Sequence, residues 1–255
     1  MDLELSVATY VLLFFAGLAG GFIDSIAGGG GLISVPALLW AGLPPQIVLG
    51  TNKMQAVWGT LIAVRGYAKK GWVRWREMKL AIGVTFVGSL LGTWVVTLMS
   101  NELLQRLVPW LLFGIALYVL FSPRFGQQQV KAKLSPTAFA LLMGSLLGFY
   151  DGFFGPGTGS FWTVTCLGLL GLDLLRATAY TKVVNLASNA ASVLVFAYAA
   201  SIRYDVAAVM VGGQLGGAWL GSRLAIRHGV PFIRVCFLIV VLALVTKLLW
   251  DQLAG

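Results

Sequence analysis

The chain has 255 residues, of which 58% are hydrophobic and 11% charged, with 32 glycines and a formal net charge of +9. A soluble domain carries about 25% charged residues, so this composition excludes a core covered by water and points to the lipid bilayer, where apolar side chains face lipid and glycine lets helices approach closely. The basic residues sit in a few short loops, as the positive-inside rule produces, and are not interleaved with aromatics in a soluble domain, which excludes nucleic acid as a partner.

Ten apolar segments follow in order. The first, about 5–23, is preceded by Asp2 and Glu4 and not by basic residues, so it reads as retained structure and not as a cleaved signal peptide. The second, about 30–42, is shorter than the ~17–25 residues of a full helical span, and the run Gly28-Gly29-Gly30-Gly31 leads into it. The third, 46–67, carries Thr51, Asn52, Lys53 and Gln55, and it ends at a basic stretch with Lys69, Lys70, Arg74, Arg76 and Lys79. The fourth and fifth, 78–99 and 103–121, lead to a link with Pro123, Arg124, Lys131 and Lys133 that reads as a solvated loop.

The second half runs the same way. Segment 137–153 contains Asp151; the short segment 159–171 follows Gly155-Pro156-Gly157-Thr158-Gly159; segment 177–199 carries Thr181, Lys182, Asn185 and Asn189; and 206–222 and 231–250 complete the set. The halves align: Gly21-Phe22-Ile23-Asp24 with Gly148-Phe149-Tyr150-Asp151, Gly42-Leu43 with Gly171-Leu172, Asn52-Lys53 with Thr181-Lys182, Gly88 and Gly92 with Gly212 and Gly216, and Arg106 with Arg234. The expected units are therefore 1–122, a cytoplasmic loop at 123–136, and 137–255.

Charge sets the orientation. The stretch after Lys69, the link, and the loop around Arg223, Arg227 and His228 share one side only if the short segments count as crossings. Five segments per half then place the halves antiparallel, with the basic loops in the cytoplasm and both termini outside. Inverted repeats with discontinuous helices recur in secondary transporters. Trp72, Trp75 and Trp250 read as interfacial anchors. Cys166 and Cys236 lie in apolar runs without metal-ligand spacing, and His228 is the one histidine. No metal site, cofactor or catalytic residue is expected, and a membrane enzyme is disfavoured against a carrier, a channel or a subunit of a membrane complex.

The polar residues inside these segments are the candidate site. Asp24 and Asp151 sit at matched apolar positions, where a charge is costly and is retained for a reason. Each is expected to take up a proton, to cap the helix after its break, or to pair with a lysine. The glycine breaks, with Gly29, Gly30 and Gly31 in one half and Gly157, Thr158 and Gly159 in the other, place helix N-termini where an anion is attracted; close helix packing is the alternative. Asn52 shares a face with Gln55, as do Lys182, Asn185 and Asn189. Snorkelling to the interface is the alternative for the lysines. Gln214 reads as a buried hydrogen-bonding residue.

The stretch from Gly21 through Gly31, then Gly50-Thr51-Asn52-Lys53, then Gly148 through Gly159, resembles the sulfite exporter TauE/SafE family of bacterial-type membrane transporters across nearly the whole chain. The resemblance implies export of a small anion, sulfite or a related sulfur-containing organic anion, across the inner membrane, with the glycine breaks and the Thr-Asn-Lys and Thr-Lys stretches as the site. Thr181, where the first half has Asn52, implies an imperfectly symmetric one. The expectation is an all-α transmembrane bundle of two inverted repeats. Lys53 and Lys182 neutralise the anion, the backbone of Gly29–Gly31 and Gly157–Gly159 binds its oxygens, and Thr51, Asn52, Gln55, Thr158, Thr181, Asn185 and Asn189 add hydrogen bonds. Asp24 and Asp151 couple to protons or organise the breaks. Assembly as a homo-oligomer stays open.

Overall fold

A computed structural model describes residues 4–121 and 131–228, with nine α-helices and no strand among the described residues. The segment 231–250, Cys236, Arg234 and Trp250 lie outside them, as do the side chain of His228 and most of the inter-repeat link. Each helix begins where its sequence provides a start. α1 (Val7–Ala27) is capped by Ser6, whose hydroxyl accepts from Thr9 N. α3 (Pro45–Lys69) and α6 (Pro136–Phe153) open on proline, whose missing N–H costs nothing in a first turn, and α8 (Leu174–Tyr198) is capped by Asp173. α4 (Trp75–Thr97), α5 (Asn101–Phe121) and α9 (Tyr204–His228) complete the long helices.

The two short segments are α2 (Gly31–Trp40) and α7 (Thr158–Leu169). Both turn back. The N–H groups of Lys133 and Leu134, just before α6, donate to Leu169 O at the end of α7, so α6 and α7 begin and end at the same end of the bundle. α1 and α2 do likewise: Tyr10 on α1 donates to Asp205, and Arg203 beside it donates to Thr51 at the start of α3. The parity is that of two crossings per pair, while each short helix covers only about 15–18 Å at 1.5 Å per residue. The backbone reverses at Gly28 (φ 73°) and at Gly155 and Gly157 (φ 96° and 80°), values that favour glycine.

The core is two apolar clusters. One, at the end where α1 and α3 begin, packs Leu13, Leu32, Val35, Leu38, Val48, Val96, Leu104 and Val206 around α2. The other, at the basic end, packs Met78, Ala81, Phe139, Ala140, Ala177 and Val183 around Trp162 and Cys166 of α7. A polar layer lies between them. Apolar side chains such as Phe15, Val87, Leu91, Trp94 and Leu146 face outward, as in a bundle solvated by lipid. By length and composition α1 and α4 are apolar enough to cross a membrane; α3 and α8 carry the buried polar residues instead.

Outer helices pack in parallel pairs, α1 on α9 and α4 on α6, through glycine. A Cβ at Gly88 would meet Ser145 O and Phe149 N; a Cβ at Gly217 would meet Leu18 O and Phe22 N. Gly92 faces Phe149 and Phe153, and Gly221 faces Phe22. The packing counterparts of Gly88 and Gly92 are therefore Gly217 and Gly221, not Gly212 and Gly216; Gly216 faces open space. The doublets Gly212-Gly213 and Gly216-Gly217 make that register ambiguous in sequence, and contact with the α1 backbone resolves it.

Candidate functional site

The polar layer is assembled from both halves of the chain. α1 ends one turn after Asp24, and α2 restarts at Gly30 with no side-chain cap. α7 likewise starts at Gly157 without a side-chain cap. The two breaks touch: a Cβ on Gly28 would collide with the Gly159 backbone, and one on Gly159 with Gly28. Only a residue without a side chain permits this crossing. The aspartates cap neither short helix.

The aspartates instead pair with lysines, each from the opposite half. Lys53 Nζ on α3 lies 2.6 Å from Asp151 Oδ1 on α6, with side chains 3% and 5% exposed. Lys182 Nζ on α8 lies 3.4 Å from Asp24 Oδ2, with side chains 0% and 15% exposed, and also donates to the Asp24 backbone carbonyl. Both lysines are buried, so neither snorkels. Burying unpaired charges would be prohibitive, and pairing reduces that cost. The two pairs stand at different depths: Lys53 lies early in α3, which starts at the end opposite the basic loops, and Lys182 lies early in α8, which starts at the basic end.

Hydrogen bonds extend from the Lys53 pair as far as Thr60, whose one proton goes to its own helix. Lys53 donates to Asn189 Oδ1 at 3.2 Å, Asn189 Nδ2 donates to Thr60 Oγ1 at 3.3 Å, and Thr60 Oγ1 lies 3.5 Å from Asp24 Oδ2 while donating to Ala56 O at 2.7 Å. On α6, Asp151 is followed by Gly152, whose carbonyl accepts from Thr93 on α4 at 2.9 Å. Ser89 on α4 in turn donates to Ser188 O on α8 at 2.9 Å. These contacts hold the Asp151 helix against α4 and α8. The sequence reading omitted Thr60, Ser89 and Thr93. Thr60 stands seven positions after Lys53, on the same helical face, which is the signal that would have found it.

The pairs border a cavity of ≈ 30 Å³, lined by Asp24, Asn52, Lys53, Asp151, Asn185 and Asn189 with Gly28, Gly31, Thr158 and Gly159 from the breaks. Space of this size holds about two waters. Asp151 Oδ2 and Asn185 Oδ1 are buried with no hydrogen-bond partner among the described residues. Not all expected residues line the cavity. Thr51 accepts from Arg203 N, and Thr181 contacts Thr163 at 3.2 Å. Gln55 donates to Asn52 and Ser34 at 3.1 Å. Gly29, Gly30 and Gly157 shape the breaks, and Lys182 lies against Asp24 without lining the cavity. Gln214 is buried where Gly20, Gly21 and Gly59 converge, and its Oε1 has no partner among the described residues. Among those residues no group of three or more His, Cys, Asp or Glu is placed to hold a metal.

Comparison with known proteins matches the family described as "Sulfite exporter TauE/SafE" over residues 13–248. The chain is 40% identical to a "Probable membrane transporter protein" of Haemophilus influenzae over 250 residues, covering 98% of each chain. It is 40% identical to the "Probable membrane transporter protein YfcA" of Escherichia coli K12, covering 94% of this chain and 90% of that one. A "Probable membrane transporter protein YdhB" of Bacillus subtilis is 23% identical over 84% of the chain. No solved structure matches.

Proposed function

Because the chain belongs to the sulfite exporter TauE/SafE family of membrane transporters, we propose that it is a secondary carrier of a small anion, sulfite or a related sulfur-containing organic anion, working by alternating access with proton coupling and in the direction of export. The crossed Lys–Asp pairs around the central cavity are the observation that carries this reading. Lys53 exchanges its carboxylate for the arriving anion, and Asn52, Asn185 and Asn189, with the uncapped helix starts at Gly31 and Thr158, supply donors to the anion's oxygens. The polar layer around the cavity holds two lysines against two aspartates. An anion entering it leaves a carboxylate without its lysine, and a proton removes that excess charge.

In this reading the chain is two inverted repeats, 1–122 and 137–255, joined by a cytoplasmic loop at 123–136 and seated in the inner membrane with both termini outside. The parallel pairing of α1 with α9 and of α4 with α6 supports it, since each pair joins helices from opposite halves. Alternating access is then a rocking of one repeat against the other about the Gly28–Gly159 crossing. A carrier is favoured over a channel because the cavity is small and an apolar cluster lies on either side of it.

Uptake of labelled anions into proteoliposomes, with and without a pH gradient, tests the proposal. Saturable counterflow of sulfite or sulfoacetate that responds to the gradient is the expected result. Single-channel currents, or no flux of any anion in the panel, would overturn it.

A further inference from the structure

The two outer flanks of the bundle match in packing but not in cover. With Gly88 and Gly92 answering to Gly217 and Gly221, Gly83 on α4 answers to Gly212 on α9. A Cβ at Gly212 would meet the ring of Phe14, from α1, at 3.4 Å, whereas a Cβ at Gly83 would meet nothing within 4 Å. Counted from the aligned Gly21 and Gly148, Leu141 on α6 stands where α1 has Phe14, and it leaves Gly83 uncovered. The α4–α6 flank therefore holds an open groove of ≈ 740 Å³, walled by Val87, Leu91, Leu146 and Phe149 with Lys79 at one end. Glycine weakens a helix interior relative to alanine, and no neighbour in the described chain calls for it at Gly83.

The groove suits an acyl chain with a negative head. Its walls are apolar, and the hydroxyl of Ser145 at its edge already donates to Leu141 O at 2.7 Å. From Lys79 to Leu91 it follows α4 for about 18 Å at 1.5 Å per residue, close to the ~15 Å depth of hydrocarbon in one leaflet. Its mouth lies at the basic end, where α4 and α6 both begin and where Met78 and Pro136 line one recess. Arg76 and Lys79 on α4, with Lys131 and Lys133 ahead of α6, are exposed there without an ion pair among the described residues, while the acid beside them, Glu77, is held by Arg74 at 3.1 Å. Two helix N-termini add positive charge at the same end, and α4 begins without a side-chain cap. A second copy of the chain fits less well, because a two-fold axis along the membrane normal would bring the Lys79 side chains of both copies to one depth.

We propose that the α4–α6 groove is a binding site for an anionic phospholipid, with one acyl chain lying along Gly83 and the phosphate at Lys79. The lipid comes from the leaflet at the basic end, which in the orientation above is the cytoplasmic one, where the surface potential is negative. The groove shares no lining residue with the cavity between the ion pairs, so the inference stands whichever anion the chain carries. Because α4 and α6 come from opposite halves, the lipid lies across a junction between them. Binding to the folded bundle alone then stabilises it in proportion to lipid concentration over affinity.

The test is native mass spectrometry of the full chain in detergent, titrated with phosphatidylglycerol or with phosphatidylcholine of the same acyl chains. Wild type should retain a phosphatidylglycerol at concentrations where phosphatidylcholine is largely lost. Lys79→Gln should weaken phosphatidylglycerol retention by about five-fold, the contribution of one lysine at an anionic lipid surface, and leave phosphatidylcholine unchanged. Lys70→Gln, at an exposed cation away from the groove, should change neither. Gly83→Leu should fill the groove and lose the lipid, whereas Gly216→Leu, at an equally open glycine on the other flank, should keep it. Leu141→Phe supplies the ring that covers Gly212 on the other flank, so it closes the groove by a second route and carries the test if Gly83→Leu is not monodisperse. Equal retention of the two lipids by wild type, an equal fall in Lys70→Gln, or lipid retained by the groove-filling variants would overturn the proposal. So would a wild-type dimer that Gly83→Leu converts to monomer, since a second copy would then fill the groove.

Discussion

Lys53 is legible in the sequence as a cation in an apolar helix, but its partner is not. Matching the halves lines up Asp24 with Asp151 and Lys53 with Lys182 and leaves open which aspartate meets which lysine. The fold brings Lys53 to Asp151 and Lys182 to Asp24, because α3 and α8 cross between the halves and each lysine reaches the aspartate of the other half. Pairing changes what a substitution does. Lys53→Ala strands a buried carboxylate, a loss of about 3–5 kcal/mol when one member of such a pair is removed, so its thermal melt should fall along with anion binding. Lys53→Met combined with Asp151→Leu should regain most of the melting temperature, because a buried pair replaced by apolar groups is often neutral. It should not regain binding. A double variant that binds anion normally would remove Lys53 from the site.

At the scale of elements, the apolar segments fall within four residues of both ends of eight of the nine described helices, because apolar runs and glycine breaks are local signals; α9 runs six residues past its segment, to His228. The sequence also marked α2 and α7 as too short to span, and the loop charges required each to reverse the chain; the contact that closes the second reversal was not legible. That contact joins Leu134 to Leu169, far apart in the chain. The glycines at the breaks divide sharply by role. Gly28 combines φ 73° with backbone contact to Gly159, so Gly28→Ala should abolish monodisperse protein on size exclusion. Gly216 faces open space, so Gly216→Ala should elute and melt as wild type. Gly217→Val should behave like the first, since the α1 backbone lies against it. Equal behaviour of the Gly216 and Gly217 variants would contradict the packing register.

At the scale of the whole molecule, the halves interleave. The first helix of each half packs along the fourth helix of the other, and the helices that carry the lysines, α3 and α8, meet between them. Every ion pair in the polar layer joins one half to the other, so a relative movement of the halves changes the site. The proposed orientation is tested by labelling single cysteines in a background without Cys166 and Cys236. Lys70→Cys, in the exposed turn between α3 and α4, should react only with reagent on the cytoplasmic side. Ser100→Cys, exposed between α4 and α5, should react only from outside. Reaction of both from one side would refute the orientation.

The sequence by itself determined that the chain belongs in a membrane, roughly where its helices lie, and which residue types gather at the breaks. All of these follow from composition, local capping chemistry and the order of residues, which need no knowledge of distant contacts. The tertiary structure decided which lysine meets which aspartate, which glycines carry the packing, that Thr51, Thr181 and Gln55 stand back from the cavity, and that Thr60 accepts from Asn189 beside the Lys53 pair. Those depend on how helices far apart in sequence cross in space. A charge buried among apolar helices takes whichever partner that crossing brings within reach.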